Sequence, residues 1–190
     1  MPDPNNVILR DYSLAVFCIP KCGNTAVKYA LAWSAGIDTS WFKVSRDIHL
    51  PTGVFEYGSK FAIDKCDGFL SVGTIRNPWI RVASCYIDKV ILGRAGMVFA
   101  GGKPNSFAEF VDFIHDTPDE KANLHFRSQW SELAISDAEI VPDYLMQFEY
   151  INEDWKEFQK MAFRWSGFVV ADLPEQPTAN STLYTDKDYR

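Results

Sequence analysis

The chain has 190 residues, 47% of them hydrophobic and 15% aromatic, enough for one packed domain that buries roughly 70% of its unfolded surface. A formal net charge of −6 excludes the broad basic face of a duplex-binding module, and so predicts no nucleic-acid partner, while leaving room for a local basic pocket. Cys18, Cys22, Cys66 and Cys85 have neither CxxC spacing nor scaffold density and read as reduced thiols; with no leader and no membrane-length apolar run, a cytoplasmic protein off the membrane is expected.

Taken in order, residues 1–12 are polar and proline-containing and read as a loose lead-in. Six apolar residues at 14–19 predict a strand covered on both faces. A helix follows over about 24–35, with Val27, Ala30, Leu31 and Ser34 on one face. Residues 36–66 are mixed and hold His49. A second buried strand at 69–75 runs into a helix reaching about residue 92, with Asn77 as its cap and Pro78 in its first turn. A glycine-rich loop at 93–105 precedes a helix at 107–115, opened by a Ser106/Glu109 capping box. A strand at 144–148, a helix at 152–165 and a polar tail from 173 complete a single domain over 1–190. Strands alternating with helices imply an α/β layer structure with a mainly parallel sheet.

Two strand-to-helix junctions carry anion-binding chemistry. In "IPKCGNT" the helix start offers unpaired N–H groups and the positive end of a dipole, Gly23 permits close approach, and Thr25 and Lys21 add a hydroxyl and a charge. The usual triphosphate loop, GxxxxGK[ST], sets its lysine directly before the hydroxyl residue, whereas Lys21 lies four residues ahead of Thr25. In "TIRNPWIRVASCY", Arg76 ends a buried strand and Ser84 lies two turns along the next helix, so a guanidinium fork and a hydroxyl can clamp a second phosphate. The alternatives are a plain turn at the first site, and at the second an Arg76 paired with an acid such as Asp88 beside a packing Ser84.

Together the two segments resemble the sulfotransferase superfamily, with its PKxG[ST]T loop and R[ND]PxxRxxSxY element. Arg76, Asn77, Pro78, Arg81, Ser84 and Tyr86 meet every fixed position of the second; Pro20, Lys21, Gly23 and Thr25 meet the first, with Asn24 where Ser or Thr is commoner. "YIDKV" after the second motif looks closer to the carbohydrate branch. The resemblance implies a three-layer, P-loop-like α/β fold with a mainly parallel central sheet flanked by helices. It implies the donor 3′-phosphoadenosine 5′-phosphosulfate (PAPS), released as 3′,5′-adenosine bisphosphate, and no metal. Residues Lys21, Cys22, Gly23, Asn24, Thr25 and Ala26 would cradle the 5′ end, Arg76 and Ser84 the 3′-phosphate, and Lys21 the bridging oxygen where charge builds. The expected reaction moves a sulfuryl group to a hydroxyl of a glycan or other small polyol-like acceptor. A P-loop kinase or nucleotidase, or a non-catalytic nucleotide-binding protein of the same fold, are the alternatives.

The acceptor hydroxyl must lose a proton, and a positioned base is typically worth roughly 10²–10⁴-fold. His49 is the first candidate, lying between the two motifs. His125, in "NLHFRSQW", resembles a later HxxPQ-like element with Ser128 in place of proline; Glu56 is the carboxylate alternative. Trp41 and Trp130 can stack on a sugar, and Lys43, Arg46, Lys60 and Arg127 can meet an anionic acceptor, against the plainer reading of core aromatics and surface charges.

Overall fold

The computed structural model describes residues 5–40, 48–49, 55–94, 99, 102–137 and 139–174. The polar tail beyond 174, parts of the 93–105 loop, and Trp41, Lys43 and Arg46 lie outside these residues.

Strand β1 (Asn6–Leu9) is buried along its whole length. It corrects the reading of 1–12 as a loose lead-in: three consecutive apolar side chains, Val7, Ile8 and Leu9, are too few to reveal a period but enough to fill an interior strand. A 3₁₀ turn (Arg10–Tyr12), ended by Ser13 at φ 48°, folds the chain back into β2 (Leu14–Phe17), antiparallel to β1 with Leu9 opposite Leu14. Helix α1 (Asn24–Ser34) follows, then β3 (Glu56–Gly58), which pairs antiparallel with β1, and α2 (Lys60–Asp64).

Strand β4 (Leu70–Ile75) runs parallel to β2, with Phe17 opposite Gly73. Helix α3 (Pro78–Tyr86) has the expected start, Asn77 accepting the Trp79 N–H at 3.0 Å, but the predicted run to residue 92 changes character: residues Ile87–Ile91 form a π turn, closed by the Leu92 N–H on the Ile87 carbonyl at 2.8 Å. Helix α4 (Phe107–His115) is capped by Ser106, while Glu109 accepts from the Asn105 N–H rather than completing the box on Ser106. Helix α5 (Gln129–Leu133), a short hairpin of β5 (Ala134–Ser136) and β6 (Glu139–Ile140), β7 (Tyr144–Gln147), a 3₁₀ turn (Phe148–Tyr150) and α6 (Ile151–Ser166) follow.

The five-stranded sheet has the order β3-β1-β2-β4-β7, with β7 parallel to β4. Only β1 runs against the other four, so the architecture is mixed α/β with a sheet that is parallel through its site-bearing half. The two-residue period of the strands supplies both layers: Val7, Leu9, Leu14 and Val16 pack with α1 and with Trp155, Phe158 and Ala162 of α6, whereas Ile8, Ala15 and Phe17 pack with Ile63 of α2 and Leu133 of α5. Helices thus cover both faces. Because β2 and β4 are parallel neighbours, their C-terminal ends, and the loops leading to α1 and α3, open on one edge.

Candidate functional site

The first loop is built from two left-handed residues, Lys21 at φ 70° and Gly23 at φ 84°, which turn the chain sharply enough for α1 to begin at Asn24. Glycine suits that conformation; a lysine adopts it at a cost of about 1–2 kcal/mol, held by its surroundings. Among the described residues no side chain caps α1, so the N–H groups of its first turn face the loop. Asn24 has a task of its own, its amide donating to the Cys18 carbonyl at 2.6 Å and drawing the end of β2 onto the helix. Asn6 accepts the Cys18 N–H at 3.1 Å from the β1 side.

The second loop meets the first. The Arg76 guanidinium donates to the Lys21 carbonyl at 3.0 Å and lies over the Phe148 ring, 4.5 Å from its centroid. The same ring covers Gly23, whose missing Cβ would stand 2.8 Å from it. Arg81, buried, spans three carbonyls: Pro20 at 3.0 Å, Arg127 at 2.8 Å and Leu124 at 3.2 Å. Gln129 adds a two-way clasp. Its amide oxygen accepts from the Arg76 N–H at 2.8 Å and the Cys22 thiol at 3.3 Å, and its NH₂ donates to the Arg76 carbonyl at 2.8 Å. Ser84 is buried on α3.

The electrostatics are lopsided. Asp88, on the π turn, receives Lys21 and Lys89 at 3.1 Å and Arg94 at 3.2 Å. Burial works to raise its pKa, but the two ammonium groups prevail and hold the carboxylate below its ordinary range. One carboxylate therefore faces three cations, in a chain that is acidic overall. Asp88 is thus not the partner of Arg76 that one reading allowed.

The family comparison falls on this ground: the model described as "Sulfotransferase family" matches residues 4–182. The chain belongs to the sulfotransferase family. No curated protein and no solved structure matched the chain. Membership makes this a transferase fold whose general chemistry is sulfuryl transfer.

The candidate bases of this sulfotransferase fare differently. His49 stands at the first turn of α1, its Nε2 3.0 Å from the Thr25 hydroxyl; burial first, then Lys28, pushes its pKa down to about 4. His125 has Nδ1 2.7 Å from the Asn123 side-chain oxygen, which assigns the proton to Nδ1 and leaves Nε2 as the lone pair. Burial, then Lys89 and Lys21, pushes its pKa down to about 3, so it belongs to the same electrostatic neighbourhood as the loop. Glu56 is not brought to the loop. It sits on β3, in register with Ile8 and through it Ala15, away from the strand ends that carry the loops, and holds Arg10 through two hydrogen bonds at 2.6 and 2.5 Å. Lys60 and Arg127 are likewise spent on structure, Lys60 donating to the Ser131 and Ala134 carbonyls and Arg127 to Ala122 and Glu132.

Gln129, Phe148 and the bridging role of Asp88 were not foreseen. A signal existed for Gln129, which occupies the last position of the HxxPQ-like element. For Phe148 there was none, since a single aromatic after a short strand is commonplace.

Proposed function

We propose that this chain is a PAPS-dependent sulfotransferase that acts on a hydroxyl of a carbohydrate or small polyol-like acceptor. The observation that carries the reading is the meeting of the two loops, with the Arg76 guanidinium on the Lys21 carbonyl, so that both anion-binding segments lie together at one edge of the sheet. The donor set suits a doubly phosphorylated nucleotide. Among the described residues, Arg76 Nε is a buried donor without a hydrogen-bond partner, the first turn of α1 has no side-chain cap, and Asp88 receives three cations, Lys21, Lys89 and Arg94. A kinase-type loop is less well matched: Cys22, which follows the lysine where that loop has its hydroxyl, is buried and bonded to Gln129, and burial pushes its thiol up to about 11.

When bound, PAPS supplies a sulfuryl group on a phosphate leaving group. The protein's share is positioning and charge stabilisation, as in phosphoryl transfer. Backbone N–H groups at Gly23 to Ala26 and the Lys21 ammonium would neutralise charge at the 5′ end, and Arg76 with Ser84 would hold the 3′-phosphate. His125 takes the acceptor proton on Nε2, its ring anchored through Nδ1 by Asn123, while His49 orients Thr25. Burial is the first cause of the low His125 pKa; Lys89 and Lys21, which add to it, are cations that an anionic donor would offset, so its basicity would rise in part with donor binding.

Calorimetry tests the reading. The protein should bind 3′,5′-adenosine bisphosphate at least tenfold more tightly than AMP, a difference of about 1.4 kcal/mol, and Arg76→Met should erase the preference. Equal binding of the two nucleotides would end it. With a working acceptor in hand, a His125→Ala protein that kept full turnover would remove His125 as base.

A further inference from the structure

The π turn is the least expected element of the molecule, and it sits against the loop lysine. Asp88 and Lys89 are both buried on it, continuing the buried run that begins at Ala83 on α3. Asp88 Oδ2 is 3.1 Å from Lys21 Nζ and 3.1 Å from Lys89 Nζ, so the two ammonium groups can be no farther apart than twice that distance. The other carboxylate oxygen takes Arg94, whose backbone N–H also bonds the Asp88 carbonyl at 3.0 Å. The Lys21 side chain is only 16% exposed, although it springs from an exceptional backbone conformation at a surface loop.

We propose that Asp88 is the positioning residue for Lys21: its carboxylate, presented from the π turn, fixes where the loop ammonium stands. Two like charges at this separation repel, and long lysine side chains would scatter them into solvent. A single shared oxygen holds both. Among the described residues, the other titratable or charged groups facing this carboxylate's neighbourhood are Cys85 one turn back on α3, Arg81, and His125 from the segment after α4; none of these adds a second negative charge beside Lys21 at neutral pH. Lys21 owes its catalytic task to the sulfuryl-transfer reading, but its coupling to Asp88 does not depend on that reading.

The experiment is site-resolved reductive methylation at pH 8, read at Lys21 by mass spectrometry, on the full chain without nucleotide. Asp88→Asn keeps the shape and removes the charge. Lys21 should then label about three- to tenfold faster, because the opposing carboxylate is lost while Lys89 stays close, which favours the uncharged, reactive amine. Lys89→Met should move it the other way, about two- to threefold slower, since Asp88 then serves Lys21 with one competitor fewer. A merely structural Asp88 would give faster labelling in any loosened variant and no reversal of sign. Unchanged Lys21 labelling in both variants, with wild-type unfolding midpoints, would overturn the proposal; should Asp88→Asn not fold, a Lys89→Met protein with unchanged or faster labelling overturns it alone. Titration of the wild type with 3′,5′-adenosine bisphosphate reports separately: absence of binding alongside the two opposite labelling responses would retire the donor while keeping Asp88 as the residue that places Lys21.

Discussion

Lys28 is buried at a cost to the fold. It lies on α1 with no exposure, and among the described residues its ammonium has no hydrogen-bond partner, only the Tyr57 ring 4.8 Å away. Burial pushes its pKa down. The sequence hid this, because a lysine between Val27 and Tyr29 reads as the solvent face of an amphipathic helix. Lys28→Met should therefore stabilise the fold, by about 1–3 kcal/mol at pH 7 in urea unfolding. The sign follows from the depressed pKa: the unfolded chain binds the proton more readily, so the penalty shrinks as pH rises towards 10.5, and the gain from methionine should shrink with it. A loss of stability on substitution would mean that the amine has a partner worth more than its burial costs.

At the scale of elements, the two junctions were the legible part, and for a physical reason. Each pairs a run of apolar residues with a helix start whose residue types are dictated by backbone geometry, Gly23 by its positive φ and Asn77-Pro78 by capping. Among elements of three to five residues, β2 and β7 were legible but others were not. β3 and α2 are too short for a period to register, and β1 shows only three apolar positions between polar neighbours. The π turn gives no pattern at all, since widening one turn leaves the helical run of residue types intact. Long-range clasps were also invisible. Arg81 was placed in a motif, but its three carbonyl partners lie on two segments far apart in sequence. Arg81→Met would leave those carbonyls buried without donors and should cost about 3 kcal/mol or more, seen as a lower urea midpoint, with a parallel loss of nucleotide affinity because Pro20 and the His125 segment come loose together. A midpoint equal to the wild type would show that water replaces the guanidinium freely.

For the molecule as a whole, acid should be the weak side. His49 and His125 are held neutral, at about 4 and about 3, against 6.5 in an unfolded chain. With both folded-state values depressed, their contribution is fully present above 6.5 and is lost as pH falls through that value towards the folded ones, because the unfolded chain takes up the protons first. Each histidine steepens the loss by up to about 1.4 kcal/mol per pH unit. Denaturation series at pH 7.5, 6 and 5 should show the slope, and His49→Gln with His125→Gln should flatten it; an unaltered slope in the double variant would assign acid sensitivity to the paired carboxylates instead. The placement of β1 reaches further. Lying between β2 and β3, it is, among the described residues, the only strand to which β3 is bonded, and it also steadies the Cys18 end of the loop through Asn6. A protease nick or a shift of start site that removed the first nine residues would thus not shave an edge. It would take out a middle stave, set β3 adrift and slacken the anion loop in one stroke, so tolerance to trimming at this terminus should be far lower than its polar opening suggests.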